Sequence, residues 1–281
     1  MIPNGQFFYS SSFSGGGVPT SSNATVQAWL NKIGVDGYTY PSQSKVDIYT
    51  AAWDYADAQG LTNQFDLVWL PKVENLDLVK IPFLHPVANT VFDAYNESDL
   101  ELDINKGLRN SQSGNLNGYY DLKLIPRNDL IKSSQNNISI GVYVKNKITD
   151  NPLLANMISF GVDQSSGGGL GFFATASLQR LSLNGTIFTN LNNTNDSSFC
   201  SSTRQSSTQI KQYIDGILGI TQSQISTLPS TLSLFGLISN SSTFSGPSSS
   251  GLSDYWLGFV YIGTGDIDQA KMNTFVNLLL L

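Results

Sequence analysis

IKQYIDGILG, residues Ile210–Gly219, is the stretch that decides the fold. Apolar and polar residues alternate on both sides of an Asp215-Gly216 pair. Asp-Gly supplies the two positive φ angles of a type I′ turn, and the twist of that turn matches the twist of paired strands. The stretch therefore predicts a β-hairpin. If Ile210 and Ile214 face a core, Lys211 and Tyr213 face away from it.

The same period of two extends outward from the hairpin, from about Lys80 onward. SIGVYVK sets Ile140, Val142 and Val144 on one face, with Tyr143 and Lys145 on the other. MISFGVD does the same with Ile158, Phe160 and Val162. DLKLI, LQRLSLNG, TLSLFGLI and YWLGFVYIG continue the series. SQSGNLNG, DQSSGGG, NLNNTNDSS and SSTFSGPSSSG separate its members. Short strands with polar Gly/Ser/Asn connections and no intervening helices predict a mainly β fold, a sandwich or jelly roll. One face of each layer is then core, and the other is wet or binds.

Helical spacing frames this region. Residues 1–22 are Gly/Ser-rich, with Phe7, Phe8 and Tyr9 among them, and read as an arm or linker. Residues 23–79 read as a helical appendage. VQAWLNKIG ends at Gly34, and Ser44 with Asp47 approximates a capping box before Val46, Tyr49, Trp53 and Ala56. Trp29, Trp53 and Trp69 read as core, with sugar stacking as the alternative. The sandwich then occupies 80–281 and finishes in a helix over 266–281. Asp266 is the expected N-cap of that helix, and Met272, Phe275, Val276 and Leu279 line one side of it. That stripe must be buried on the sandwich or on a partner.

Composition narrows the function. Of 281 residues only 13% are charged, about half the usual ~25%. Ser, Asn, Thr, Gln and Gly must cover the surface, as on many extracellular or virion β proteins. A net charge of −6 leaves no basic stripe for nucleic acid. No stretch approaches the ~20 apolar residues of a membrane span, and the first residues lack the basic and apolar regions of a secretion leader. The Asn-x-Ser/Thr sequons are then chance products of composition. Cys200 is the one cysteine and His85 the one histidine, so neither a disulfide, a zinc cluster nor a histidine triad can be assembled. SSGGGLG lacks the basic residue and helix of a phosphate loop. NLNNTND carries oxygen ligands for calcium without regular spacing.

One carboxylate pattern invites catalysis. ELDINK, Glu101–Lys106, is similar to the Glu-x-Asp-x-x-Glu strand of retaining β-glucanases, but Lys106 stands at the acid/base position. Retention needs two carboxyl groups about 5 Å apart, and lysine cannot shuttle that proton near neutral pH. The reading is therefore non-enzymatic, with no catalytic residue, cofactor or metal. The candidate binding residues are the outward-facing aromatic and cationic pairs Tyr143, Lys145, Lys211 and Tyr213, which suit a glycan.

Tyr213-Ile214-Asp215-Gly216 resembles the Tyr-x-Asp/Asn-Gly hairpin of laminin-G-like and concanavalin A-like domains. A longer series of motifs resembles bacteriophage virion structural proteins, the tail- or head-fibre components that carry a concanavalin A-like domain. The series runs AWLNKIGV, YADAQGL, FDLVWLPKV, LVKIPFLHPVANT, GNLNGYYDLKL, NNISIGVYVKN and GFVYIGTGDIDQAKMNTFVNLLL, covering roughly residues 25 to 281. The chain departs from that group in its leading arm and in the spread of its Leu61-to-Trp69 element. The resemblance implies a concanavalin A-like jelly-roll sandwich, a virion location and a fibre, decoration or adsorption role without catalysis. The partners it implies are copies of the chain itself (a homo-oligomer such as a trimer) and other virion proteins, reached through the 1–22 arm. Host-surface glycan is a third. The alternative is a carbohydrate-binding module or degraded glycosidase of a bacterial surface system.

Overall fold

The computed structural model of the chain describes residues 17–110, 118–145, 155–160, 169–174, 178–185, 189–192, 195–229, 234–236 and 256–281. The arm up to residue 16, Val162 and the predicted connections at 111–117, 163–168 and 241–251 lie outside them.

Two helices lead, α1 (Ala24–Val35) and α2 (Gln43–Ala58). Strand β1 (Phe65–Trp69) and a helical turn, α3 (Leu76–Val79), follow. Short strands β2 (Asp93–Tyr95), β3 (Leu100–Asp103), β4 (Gly107–Asn110) and β5 (Tyr119–Asp121) precede a second helical turn, α4 (Pro126–Asp129). Then come β6 (Ile138–Lys145), β7 (Ala155–Phe160), β8 (Gly169–Ala174), β9 (Leu178–Gly185) and β10 (Thr189–Asn192). Strands β11 (Ser198–Arg204), β12 (Gln209–Ile214), β13 (Ile217–Ser223), β14 (Leu234–Gly236) and β15 (Trp256–Gly263) complete the β series, and α5 (Gln269–Leu279) is the last element.

All strand pairings are antiparallel. An eight-stranded sheet runs β13-β12-β11-β6-β15-β4-β3, with β1 also on β15. A seven-stranded sheet runs β10-β9-β8-β7-β14-β5-β2. The two pack against each other. Trp69 of the first sheet leaves no room for a side chain at Gly236 of the second, where a Cβ would lie 2.6 Å from its ring. Buried Arg204 of β11 donates from Nε to the Leu183 carbonyl of β9 at 2.8 Å.

The β12–β13 hairpin forms as its turn chemistry dictates. Asp215 and Gly216 have φ of 50° and 79°. The turn is doubly tied to β11: the Asp215 N–H donates to the Phe199 carbonyl, and its carboxylate accepts the Phe199 N–H at 2.8 Å. Gly216 also touches the start of α5, so a Cβ there would lie 2.8 Å from the Gln269 carbonyl oxygen.

The eight-stranded sheet has no wet outer face at its centre. Strands β11 and β15 are buried at every residue, and β6 at all but Tyr143 and Lys145. The second sheet covers one face and helices cover the other. Phe275 of α5 lies 5.3 Å from Trp53 of α2, 5.7 Å from Phe65 of β1 and 6.1 Å from Phe259 of β15 between ring centroids. Met272, Val276 and Leu279 are buried beside it. The predicted stripe on the last helix is thus satisfied within this chain. Helices α1 and α2 contribute to the same hydrophobic core as the sheets.

Details at the helix ends depart from the sequence reading. The N-cap of α5 is Asp268 rather than Asp266, its carboxylate accepting the N–H groups of Ala270 and Lys271. Ser44 does not cap α2. It lies within the first turn, and Asp47 accepts from the Gln43 side chain instead. Helix α1 starts at Asn23, whose side-chain oxygen accepts from Thr25 and Val26 while its Nδ2 donates to Asp54 and Asp57 of α2. One residue therefore caps the first helix and fastens it to the second. Strand β1 precedes the expected start of the β region near Lys80.

Two substitutions test this account. Phe275→Ala should cost about 3–5 kcal/mol in urea unfolding, because the cavity opens between three elements that cannot all collapse. Gly216→Ala should cost about 1–3 kcal/mol through its left-handed backbone and its contact with α5.

Candidate functional site

Register places the four sequence-derived binding residues on one face of the eight-stranded sheet. Tyr143 stands opposite Phe199 and Phe259, and Lys145 opposite Trp256. Lys211 stands opposite Thr203 and Thr221, and Tyr213 opposite Ser201 and Leu218. All four are half-buried, because α5 crosses this face. Gln269 of α5 accepts from Ser201 Oγ at 2.6 Å and exchanges hydrogen bonds with the Tyr261 hydroxyl. Phe275 covers Phe259. The face expected to be open is closed over its middle, and Tyr143 with Lys145 emerges at one rim of it.

That rim gathers cations from distant parts of the sequence. Lys72 arrives just after β1, where its N–H donates to the Gly258 carbonyl at 3.2 Å. Its ammonium donates to the Leu280 carbonyl beyond α5. Lys45, in the first turns of α2, reaches the Leu281 carbonyl at 3.5 Å. The two amines thereby satisfy the electronegative end of a helix dipole. The Lys145 ammonium donates to the Asn105 carbonyl at 3.2 Å. None of the three forms an ion pair with a carboxylate side chain among the described residues. Burial, followed by repulsion from Lys45 and Lys145, pulls the Lys72 ammonium down to about 8, with Asp103 opposing. An apolar recess between α2 and α5 is lined by Asp47, Ile48, Ala51, Leu278 and Leu281, the last being the residue that Lys45 reaches.

The β3–β4 hairpin borders the rim and absorbs the ELDINK carboxylates. Arg109 binds Glu101 Oε2 through Nε at 2.8 Å and Nη2 at 2.6 Å, and Lys106 pairs with Asp103 at 3.4 Å. The Asn105 N–H, above all, holds the Asp103 carboxyl below its ordinary value. Arg109 also lies 4.3 Å over the Trp256 ring and Lys106 5.2 Å. Both carboxylates are thus tied to cations of their own hairpin, a structural use.

The remaining candidates are structural too. His85 Nδ1 lies 3.0 Å from the Val87 N and 3.1 Å from the Val87 carbonyl oxygen, and Nε2 lies 2.9 Å from the Leu122 carbonyl oxygen. Burial lowers its pKa. Trp29 and Trp69 donate to the Ile81 and Val79 carbonyls inside the core, and Trp53 and Cys200 are buried with them. Among the described residues no group of three His, Cys, Asp or Glu could hold a metal ion, and part of NLNNTND lies outside them. Sequence reading missed the Tyr95–Tyr119 stack, with centroids 4.7 Å apart and planes 11° from parallel. The pair forms only because β2 and β5, far apart in sequence, align these residues.

Lys72 provides a direct test of the lysine cluster. Its proton leaves the folded chain near pH 8 and the unfolded chain near its ordinary 10.5. Between those values the unfolded chain binds more protons, so this group's contribution to stability rises with pH across the window and is flat below it. NMR titration of the lysine Cε carbons should find the low midpoint. Lys145→Met should raise it, and a midpoint indifferent to that change would contradict the clustering.

No protein-family model matches the chain, and no curated protein does. Solved structures do match in fold. The ligand binding domain of botulinum neurotoxin serotype D, in complex with N-acetylneuraminic acid, aligns with a TM-score of 0.52 at 12% identity, covering 78% of this chain and 52% of that one. The binding domain of Paraclostridial Mosquitocidal Protein 1 aligns with a TM-score of 0.52 at 9% identity, over 76% of this chain and 52% of that one. The chain thus spans about half the length of these structures, and at such identities the likeness is one of fold: a mainly β, antiparallel architecture.

Proposed function

We propose that this chain is a non-enzymatic attachment module with a concanavalin A-like jelly-roll sandwich, and that its lysine rim holds an anionic sugar of a host surface. The observation that carries the reading is the meeting of Lys45, Lys72 and Lys145 near the end of α5, none of them ion-paired with a carboxylate side chain among the described residues. An ammonium cluster in a chain of net charge −6 favours a small anion over a polyanion, whose other charges the remaining surface would repel. A sugar acid offers a carboxylate for the lysines and a C–H face for Tyr143. The likeness to a domain solved with N-acetylneuraminic acid motivates that choice of ligand.

The motif order from AWLNKIGV to the last helix favours a bacteriophage virion as the setting, in a fibre, decoration or adsorption component. Its partners there are copies of itself and other virion proteins, the latter reached through the 1–22 arm. A carbohydrate-binding module or degraded glycosidase of a bacterial surface system is the second reading, favoured by the likeness in fold to a toxin's ligand binding domain. Portal, capsid or tail genes beside the coding sequence, and the chain's presence in purified particles, support the first. Its absence from particles supports the second.

A glycan array carrying sialylated and neutral sugars tests the site. The chain should bind acidic members, more weakly as salt rises. Lys72→Met with Lys145→Met should weaken binding about tenfold or more, as loss of charge-assisted hydrogen bonds requires. Silence towards every acidic glycan, or binding unmoved by the double substitution, would end the assignment.

A further inference from the structure

Along its main path the eight-stranded sheet ends in two unlike edges. At one end, β3 is four residues long and carries Glu101 and Asp103. Short, charged edges resist pairing with other chains. At the other end, β13 is seven residues long and carries no charge. Indeed, no Asp, Glu, Lys, Arg or His occurs anywhere between Asp215 and Asp254. A bulge between the Gln212 and Tyr213 pairings is the strand's one protective device.

β13 is also apolar where it ought to be covered. Ile220 stands opposite buried Gln212, and Ile217 opposite Ile214, in the row that faces the second sheet. Yet Ile217 is 74% exposed and Ile220 37%, while Leu218 on the opposite face is 50% exposed. Ile225 and Leu228, just beyond the strand, are 77% and 61% exposed. Core-type side chains at this edge thus stand in water. Isolated exposed apolar residues need no explanation, but a contiguous set along an open edge marks an interaction site.

We infer that β13 pairs with β13 of a second copy of this chain, antiparallel about a two-fold axis near Ile220, the strand's midpoint. Charge selects this occupant. Two copies of a chain with net charge −6 repel over most approaches, whereas β13, which carries no charged residue, brings no like charges face to face. The contact is closed and self-complementary, so it consumes both open edges and stops at two. A seven-residue ladder with a few flanking side chains is small beside the ~1,200 Å² of a firm interface, so the dimer forms at micromolar concentration. This inference is independent of the lysine rim, which lies on β6, β15 and the elements beyond them.

Sedimentation velocity of the full chain over the micromolar range should show a rise from 30.5 kDa to about twice that mass. Ile220→Lys should hold the chain at the monomer mass by setting two ammonium groups against each other at the axis. Mixing it with Ile220→Glu should restore a dimer of one copy each. Hydrogen exchange of the unsubstituted chain gives a second readout: β13 amides should gain protection as concentration rises, even if a variant folds poorly. A wild type that stays monomeric, or a dimer in which β13 exchange ignores concentration, would overturn the assignment. So would a dimer that survives Ile220→Lys. Sugar binding by the rim is read separately in each case.

Discussion

Phe275 holds the molecule together from the outside. A sheet in a two-layer sandwich usually gives one face to the core and one to water. Here the aromatic layer of Trp53, Phe65, Phe259 and Phe275 closes the second face as well. Strands β6, β11 and β15 therefore sit in the middle of three layers. Each aromatic ring buried there contributes roughly 1.5–3 kcal/mol of transfer free energy, without help from charge. That suits a chain with so few ionisable groups to spend on its surface.

Enclosure of the central sheet decides where recognition can occur. With both faces covered, the central strands β6, β11 and β15 offer other molecules only their rims. The polar groups that are buried serve to fix those boundaries. Asp66 accepts the N–H groups of Ile131, Lys132 and Ser133, pinning the loop before β6. Arg204 spends its guanidinium on the carbonyls of Leu183, Ser206 and Gln224 and on the Gln224 side chain, joining the two sheets to the segment after β13. A buried cation balanced by carbonyl dipoles is costly to disturb, so it sets the position of these segments firmly.

The sequence disclosed what is local and concealed what is assembled. Asp215-Gly216 announced its hairpin because turn chemistry acts over four residues. The alternation in β6 and the stripe on α5 were equally plain. FDLVW was not, because a strand buried on both faces shows no alternation to read, and all five of its residues are buried. The same double burial makes the predicted solvent face of Tyr143, Lys145, Lys211 and Tyr213 a largely covered one. Of these four, Tyr143 and Lys145 belong to the rim. Its other members, Lys72 and Lys45, carry no local signal: Lys72 follows an unrecognised strand, and Lys45 is one more polar residue at a helix start. Only the closure of α5 against α2 and β15 brings them together.

The two surfaces left open by this enclosure lie apart. The rim is built where β6, β15 and the β3–β4 hairpin meet, while β13 lies three strands away from β6 across the sheet. Pairing through β13 would therefore leave a rim free on each copy, with the second-sheet layer and α5 undisturbed. A weak monovalent site gains from such duplication, because a second contact to the same surface becomes intramolecular once the first has formed. Single sugars bind weakly because few atoms are buried per contact and side chains must be ordered to hold them. An attachment module with a shallow, charge-based site thus has a physical reason to keep one edge of its sheet uncharged and uncovered, even though such an edge carries a standing risk of aggregation.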